Sequence, residues 1–597
     1  MERCACAALQ PPPAALRDAR RARRGLRVRA SPRASSDKET TCAPCGAPLS
    51  ALLAAAHAAS LAALPPSSRG ERVLRGSGEA LGLKTAFSLR VDSHGSFAES
   101  VTLLPPPALG GAAVATLRAG FDAASGAAWQ TELADGSITA LAAGDDARDR
   151  SLLFAWLRSG AWTAAVASGA LLAEPLPDQA APGSKKRALC LALSLPDSTL
   201  AARVWLAAAP APCLPLRVEL APSCAGAEAW DFAAWPGRAT HTQPTGERAV
   251  FTAGEHAASD DEPALAQLVV APAPASPPPF APVAVALARC SGGQLLLRAA
   301  LPGAPPAWWA LDTACDGAAV TAAAADAAAL PSLGRAAVPG LGGALAGALR
   351  RGGLTVGASG VQLLPAGALH LELSLDGALA PPDGGALGGV LGCAALRRCV
   401  LELHLPRRQP GARAAPAITA TLHAPGTFEP PDRLAVAWRR LQFVDGVPHV
   451  AASYVTEAGQ APRVGLFRLA LGIGGCGAIL SNAEAAAAGF ARATAALQPA
   501  GMLAAPGTGR ARMAAVEEGS LLSGRLAELQ LGGATLRHVR ALAHVGAADP
   551  PDLAFSTRAA GALCADLFRG VRLVLDLPAG RYACVNLDRP DDNDSTF

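Results

Sequence analysis

The residues that most directly name a chemistry are Asp312 and Thr313. They close the apolar run Trp308-Trp309-Ala310-Leu311 and precede Ala314, Cys315, Asp316 and Gly317, after which a second apolar run begins at Ala318. An aspartate at the tip of a buried strand, in a turn of small residues, is a candidate for general acid–base work. A plainer alternative is a turn aspartate that caps a short helix starting near Cys315. The chemistry open to such a group is usually that of a pair. Two carboxylates at hydrogen-bond distance cannot both ionise cheaply, so they share one proton and their pKa values separate. The ionised member then takes a proton from water while the other polarises a substrate carbonyl. For that paired chemistry Asp312 needs a second acid.

An internal repeat shows where that acid would lie. Leu391 to Pro406 (LGCAALRRCVLELHLP) matches Leu563 to Pro578 (LCADLFRGVRLVLDLP) at an offset of 563 − 391 = 172. Upstream, WWALDTACDGAAVT matches RLALGIGGCGAILS, which sets Asp312 opposite Gly472, Thr313 opposite Ile473, Ala314 opposite Gly474 and Thr321 opposite Ser481. Leu531-Gly532-Gly533-Ala534-Thr535-Leu536 and Gly352-Gly353-Leu354-Thr355-Val356 read as corresponding hairpins. Two lobes follow, 284–424 and 425–588, each of ordinary domain size.

In order and spacing these motifs resemble the retropepsin-like aspartic peptidases. A lobe of that family carries an apolar strand, Asp-Thr/Ser-Gly-Ala-Ser/Asp, and later two apolar residues and a glycine beneath the active site. Asp312, Thr313 and Asp316 match the first motif, Ala314 replaces its glycine, Gly317 continues the turn, and Val390-Leu391-Gly392 match the second. The resemblance covers about residues 284 to 588. It implies two β-barrel lobes and an endopeptidase that hydrolyses peptide bonds of a polypeptide substrate through Asp312, with Thr313 supporting it. The second lobe departs from the pattern at Gly472, Ile473 and Gly474, and Cys564 stands where the later glycine belongs. Three readings stay open. Two first lobes from different chains could pair as a homodimer. A carboxylate elsewhere could substitute. Or the tandem is a degenerate, non-catalytic pseudopeptidase that binds peptide in its groove.

Rival motifs are weaker. Gly472 to Gly477 spells G-x-G-x-x-G after a strand, and Ala478 to Leu497 reads as helical, but residues 490–505 lack the acid that a dinucleotide ribose would want. Apart from Cys4 and Cys6, only Cys42 and Cys45 are closely spaced, without the second pair a zinc site needs. The histidines show no metal spacing. No metal and no cofactor are expected. Cys190 and Cys399 sit in apolar alternation and read as core thiols.

The elements that must position these residues belong to a chain of 597 residues, 51% hydrophobic and 17% charged, which calls for several globular domains. A net charge of +4, partly in the first 35 residues, offers no nucleic-acid surface. No apolar run reaches 18 residues, so no transmembrane span is expected. Residues 1–43 are rich in Arg and poor in acids, as in an organelle transit peptide. A chloroplast is the first expectation and a mitochondrion the second, with a basic disordered leader as the alternative.

The block 44–270 opens with a helical stretch, Ala47 to Leu64. Strands are expected at Ala86 to Asp92, Ala188 to Ser194, Ala202 to Ala207 and Leu214 to Leu220, with a turn at Ser93-His94-Gly95 and a buried helix over Arg150 to Leu172. This order, with Arg203-Val204-Trp205-Leu206 ahead of Leu214-Pro215-Leu216, resembles the LolA/LolB-like lipoprotein carriers. That resemblance implies a curved antiparallel sheet around helices, able to hold an apolar or lipid ligand. A packed sheet without a ligand is the alternative. The Pro-rich segment 271–283 is a stiff linker, and 589–597 is an acidic, disordered tail. The expected fold is thus mainly β: a LolA-like sheet with helices, then two retropepsin-like barrels.

Overall fold

In this computed structural model the chain is mainly β. The structure describes residues 49–586 apart from internal stretches, among them 177–187, 222–227, 255–262, 407–416, 431–436, 493–502, 513–520 and 545–558. The leader 1–43 with Cys42, the neighbouring Cys45, the middle of the Pro-rich segment (273–277), Asp316 and the tail 589–597 lie outside the described residues.

One antiparallel sheet of thirteen strands is built from two meanders joined where Arg72–Ala80 pairs with Arg248–Gly254. The expected strands are there, as Leu83–Val91, Ala188–Ser194, Ala201–Ala207 and Pro215–Ala221. Gly95 turns with φ +89°, which glycine adopts without a Cβ penalty. The helix Leu49–Ala63 packs here, and its His57 ring lies 2.8 Å from the Thr163 hydroxyl. The single helix expected over Arg150 to Leu172 is instead two, Asp146–Ser159 and Trp162–Ala167, followed by the strand Leu172–Pro175. The break is Gly160, with φ +73°. A Cβ there would lie 2.7 Å from Ser60 Cβ and 2.9 Å from Arg72 Nη1, so the chain must turn where the helices meet. No described helix is long and apolar enough to cross a membrane.

This sheet rests on the first lobe. Leu83, Leu103 and Val114 share a core with Leu296, Trp308, Ala310 and Val390. The amide of Arg335 donates to the Leu81 carbonyl at 2.9 Å, and Arg397 and Arg398 lie 3.4 and 3.6 Å from Glu132 and Asp135.

Both lobes repeat one strand arrangement. In the first, Ala307–Leu311 runs parallel to Leu387–Leu391, which pairs antiparallel with Ala318–Thr321. In the second, Arg463–Ala470 runs parallel to Ala559–Cys564, which pairs antiparallel with Ala478–Leu480. Thr321 and Ser481 then cap short helices, their hydroxyls accepting from Ala324 and Glu484 amides. The helix expected over Ala478 to Leu497 is thus a strand followed by a helix at Asn482–Ala487, because Ser481 starts the helix and Gly489, at φ +67°, stops it. Leu521–Leu531 and Ala534–His544 form a hairpin over Gly532 and Gly533, both at positive φ as its two-residue turn requires. Gly352 and Gly353 do not match it. They join Gly343–Arg351 to Leu354–Val356, which pair with other strands.

The lobes are stitched by the repeated strands themselves. Val400–His404 pairs antiparallel with Val571–Asp576, and the register sets Glu402 opposite Val574. At the repeat offset, 402 + 172 = 574, so each is the other's counterpart and a pseudo-two-fold axis passes between them. One apolar core runs through both lobes, from Val285 to Cys584.

Candidate functional site

Asp312 follows directly on the strand Ala307–Leu311, where its amide donates to the Leu391 carbonyl at 2.9 Å. Its own carboxylate accepts the Ala314 amide at 2.9 Å, an Asx turn. Among the described residues no helix follows at Cys315, so the helix-capping alternative does not form there. Gly392 lets the two motifs meet: a Cβ there would sit 1.8 Å from the Gly317 carbonyl oxygen. Val390 and Leu391 are fully buried beneath the turn.

Thr313 is fully buried and faces the second lobe. Its hydroxyl donates to the Leu469 carbonyl at 2.7 Å and accepts the Leu471 amide at 3.0 Å. These bonds reveal the register. Leu311 pairs with Leu391, and Leu469 pairs with Leu563, so Leu311 corresponds to Leu469 at an offset of 158. Past the turn, Ala319 opposite Val390 corresponds to Ile479 opposite Ala562, at 160. The second turn is therefore two residues longer. Along the strand, the counterparts of Asp312 and Thr313 are Ala470 and Leu471, and not Gly472 and Ile473 as the ungapped match had them. Leu469-Ala470-Leu471 repeats with the two-residue period of a strand, so a slip of two keeps every side chain on its face and leaves no trace in the sequence. In a symmetric tandem, residue 471 would return Thr313's pair of bonds, but a leucine has no hydroxyl with which to do so.

The extra residues carry the turn over Asp312. A Cβ built on Gly472 would lie 2.3 Å from Asp312 Cγ and 2.5 and 2.6 Å from its carboxylate oxygens. Gly472 thus sits against the carboxyl group, and its amide donates a hydrogen bond to it. Neither Ala470 nor Gly472 has an acid to offer. Burial pushes the Asp312 pKa above the ordinary aspartate value, opposed by the Ala314 amide, the Arg468 charge and the Gly472 amide. Asp312 keeps some exposed surface as a residue, yet its carboxyl is enclosed enough for burial to dominate. Arg468 reaches across the lobes and donates to the Ala314 carbonyl.

The second turn is pinned from behind. The Gly475 amide donates to Asp566 at 2.8 Å, and Asp566 also pairs with Arg289 and Arg569. Burial would raise the Asp566 pKa, but the two arginines outweigh it and hold it below the ordinary value. Its oxygens are engaged by the two arginines and the Gly475 amide. The Ile473 carbonyl accepts the Ala565 amide at 3.0 Å, and Gly474 packs against Gly293.

No family model matches this chain, and no curated protein matches it. Among solved structures it is similar to an aspartic proteinase from Irpex lacteus, at 10% identity over 51% of this chain and 97% of that one, with a TM-score of 0.33. It is also similar to an outer membrane lipoprotein-sorting protein domain from Vibrio parahaemolyticus, at 11% identity over 34% of this chain and 89% of that one, with a TM-score of 0.22. The functional reading rests on the geometry at Asp312.

That geometry separates the residues of the sequence motifs. Asp312, Thr313, Ala314, Gly317, Val390, Leu391 and Gly392 form one turn and its floor. Gly472 covers the carboxyl, whereas Ile473 and Gly474 face the rear of the second turn. Sequence reasoning missed Arg468, Leu471 and Asp566. Arg468 interrupts an apolar strand four residues before Gly472, which was a readable signal for a polar role. In the N-terminal sheet, a cavity of about 10 Å³ is lined by Leu74, Phe87, Arg158, Phe232 and Phe251. It has room for about one water and none for an acyl chain. Among the described residues no group of His, Cys, Asp and Glu could hold a metal ion.

Proposed function

We propose that the tandem is a non-catalytic, peptidase-derived binding module, and that an extended polypeptide is its ligand. The observation that carries this is Gly472 in contact with the Asp312 carboxyl, where a proton-sharing acid would have to stand. Among the described residues no second carboxylate meets Asp312, so none of them can polarise a carbonyl while it activates water. The pairing of two first lobes between chains is disfavoured by the same geometry, because Thr313 already grips Leu469 and Leu471 of its own chain. The Asp312 turn keeps its peptidase form, with its glycine floor and cross-lobe threonine, and serves as a fixed junction between the lobes. The N-terminal sheet acts in this reading as a packed partner of the first lobe.

The test is retention without cleavage. The purified chain, held with a denatured, labelled polypeptide between acid and neutral pH, should bind it and return it intact. Cleavage that disappears in Asp312→Ala would reject the reading. Absence of binding at any pH would remove the ligand assignment.

A further inference from the structure

Cys476 lies in the second turn, and Cys564 ends the strand beneath it. Their sulfurs are 3.7 Å apart, and both residues are buried, 2% and 0% exposed. The surroundings are apolar, with Leu542, Ile473 and Ile479 packed around the pair. Backbone bonds on either side already hold the two elements together. The Cys564 amide donates to the Gly477 carbonyl at 2.9 Å, Ala565 to Ile473 at 3.0 Å, and Gly475 to Asp566 at 2.8 Å. A disulfide has its sulfurs about 2.05 Å apart, so the gap to close is only about 1.7 Å, within reach of side-chain rotation. Gly475, next to Cys476, is exposed, so the pair lies one residue from the surface.

We propose that Cys476 and Cys564 form a disulfide when a peroxide reaches them, and that this bond latches the second turn over Asp312. The steps balance. The sulfur of Cys476 attacks peroxide oxygen, the O–O bond breaks, and Cys476 becomes a sulfenic acid with release of one water. The sulfur of Cys564 then displaces the hydroxyl group, the S–S bond forms, and a second water leaves with the Cys564 proton. Two thiols lose two electrons to one hydrogen peroxide. The latch joins the turn that carries Gly472 to the end of the strand Ala559–Cys564, just ahead of Asp566, so Gly472 loses freedom to lift from the carboxyl. This inference concerns the turn alone and does not depend on a peptide being the ligand.

Cleavage after Arg468 and Arg492, and after Arg558 and Arg569, leaves each cysteine in its own peptide. The full chain, reduced, desalted and exposed to hydrogen peroxide, should yield these two peptides joined, two hydrogens lighter than their sum. Amide exchange over residues 471–474 should slow roughly tenfold on oxidation. Cys564→Ser should leave Cys476 unlinked and make the exchange rate indifferent to peroxide. Separate alkylation of both cysteines after peroxide, or linkage of either to another cysteine, would overturn the pairing. A joined pair with unchanged exchange, or slowing that persists in Cys564→Ser, would overturn the latch. Should the variant fail to fold, the wild-type mapping and exchange decide the matter alone.

Discussion

The turn after Leu311 and the turn after Leu469 sit at equivalent places in two copies of one strand arrangement, yet they do opposite things. The first is short and closes tightly over Gly392, presenting a carboxylate. The second is two residues longer, passes over that carboxylate, and presents backbone. Cys564 occupies the place of Gly392, and the longer turn makes room for its side chain, which meets Cys476. The comparison shows how one strand arrangement can carry two different turns. The lobes share a core and pair about Glu402 and Val574, while the longer turn of the second brings Gly472 against the carboxyl of the first.

The largest effect is expected where the second turn touches the first. Gly472→Asp should not restore an acid pair. Its Cβ would overlap the Asp312 carboxyl and a second charge would arrive beside it, so unfolding stability in denaturant should fall by more than about 3 kcal/mol. A stable variant would show that the turn can lift away. Thr313→Val removes the cross-lobe grip and leaves the Leu471 amide and Leu469 carbonyl without it. Thermal or denaturant unfolding should report a loss of about 2 kcal/mol, and a neutral result would mean the grip is incidental.

Glu402, on the pseudo-axis, tests symmetry at longer range. The hydrogen bond from His423 is the main cause that holds its pKa below the ordinary value, with Arg572 assisting against burial. Its contribution is present above the ordinary carboxylate pKa and is lost as pH falls through the lowered one. Glu402→Gln should therefore cost up to about 1 kcal/mol near neutrality, and the gap should close on acidification. A gap that is independent of pH would point to packing instead. The smallest effect is expected for Asp312→Asn. Burial raises the Asp312 pKa, so the wild type loses stability as pH climbs from its unfolded to its folded value. The amide variant should be more stable at neutral pH by up to about 1 kcal/mol and equal in acid, as melting curves across pH would show.

Much of this was legible in the residues. Alternation in Ala188–Ser194 and Ala201–Ala207 named the N-terminal strands, and the leucines of Val400–His404 and Val571–Asp576 named the strands that join the lobes. Asp312, Thr313 and Val390-Leu391-Gly392 were found from motif order, and the structure brings them into one turn. What escaped has two physical causes. A slip of two residues is invisible to a period-two pattern, so the match of Asp312 with Gly472 erred along the strand while naming the residue that lies over the carboxyl. Alanine-rich stretches also mislead, since alanine favours helix wherever it falls. Ala478–Leu480 became a strand because the sheet beside Leu563 claimed it, and one helix became two because Gly160 had to clear Ser60.

The central claim is that Asp312 stands without a catalytic partner. The direct measurement compares peptide-bond hydrolysis by the purified chain and by Asp312→Ala, from acid to neutral pH, in matched preparations. Equal, background-level rates at every pH are the predicted result. A rate in the wild type that falls by orders of magnitude in Asp312→Ala would contradict it, and would require the second turn to open and another acid to enter.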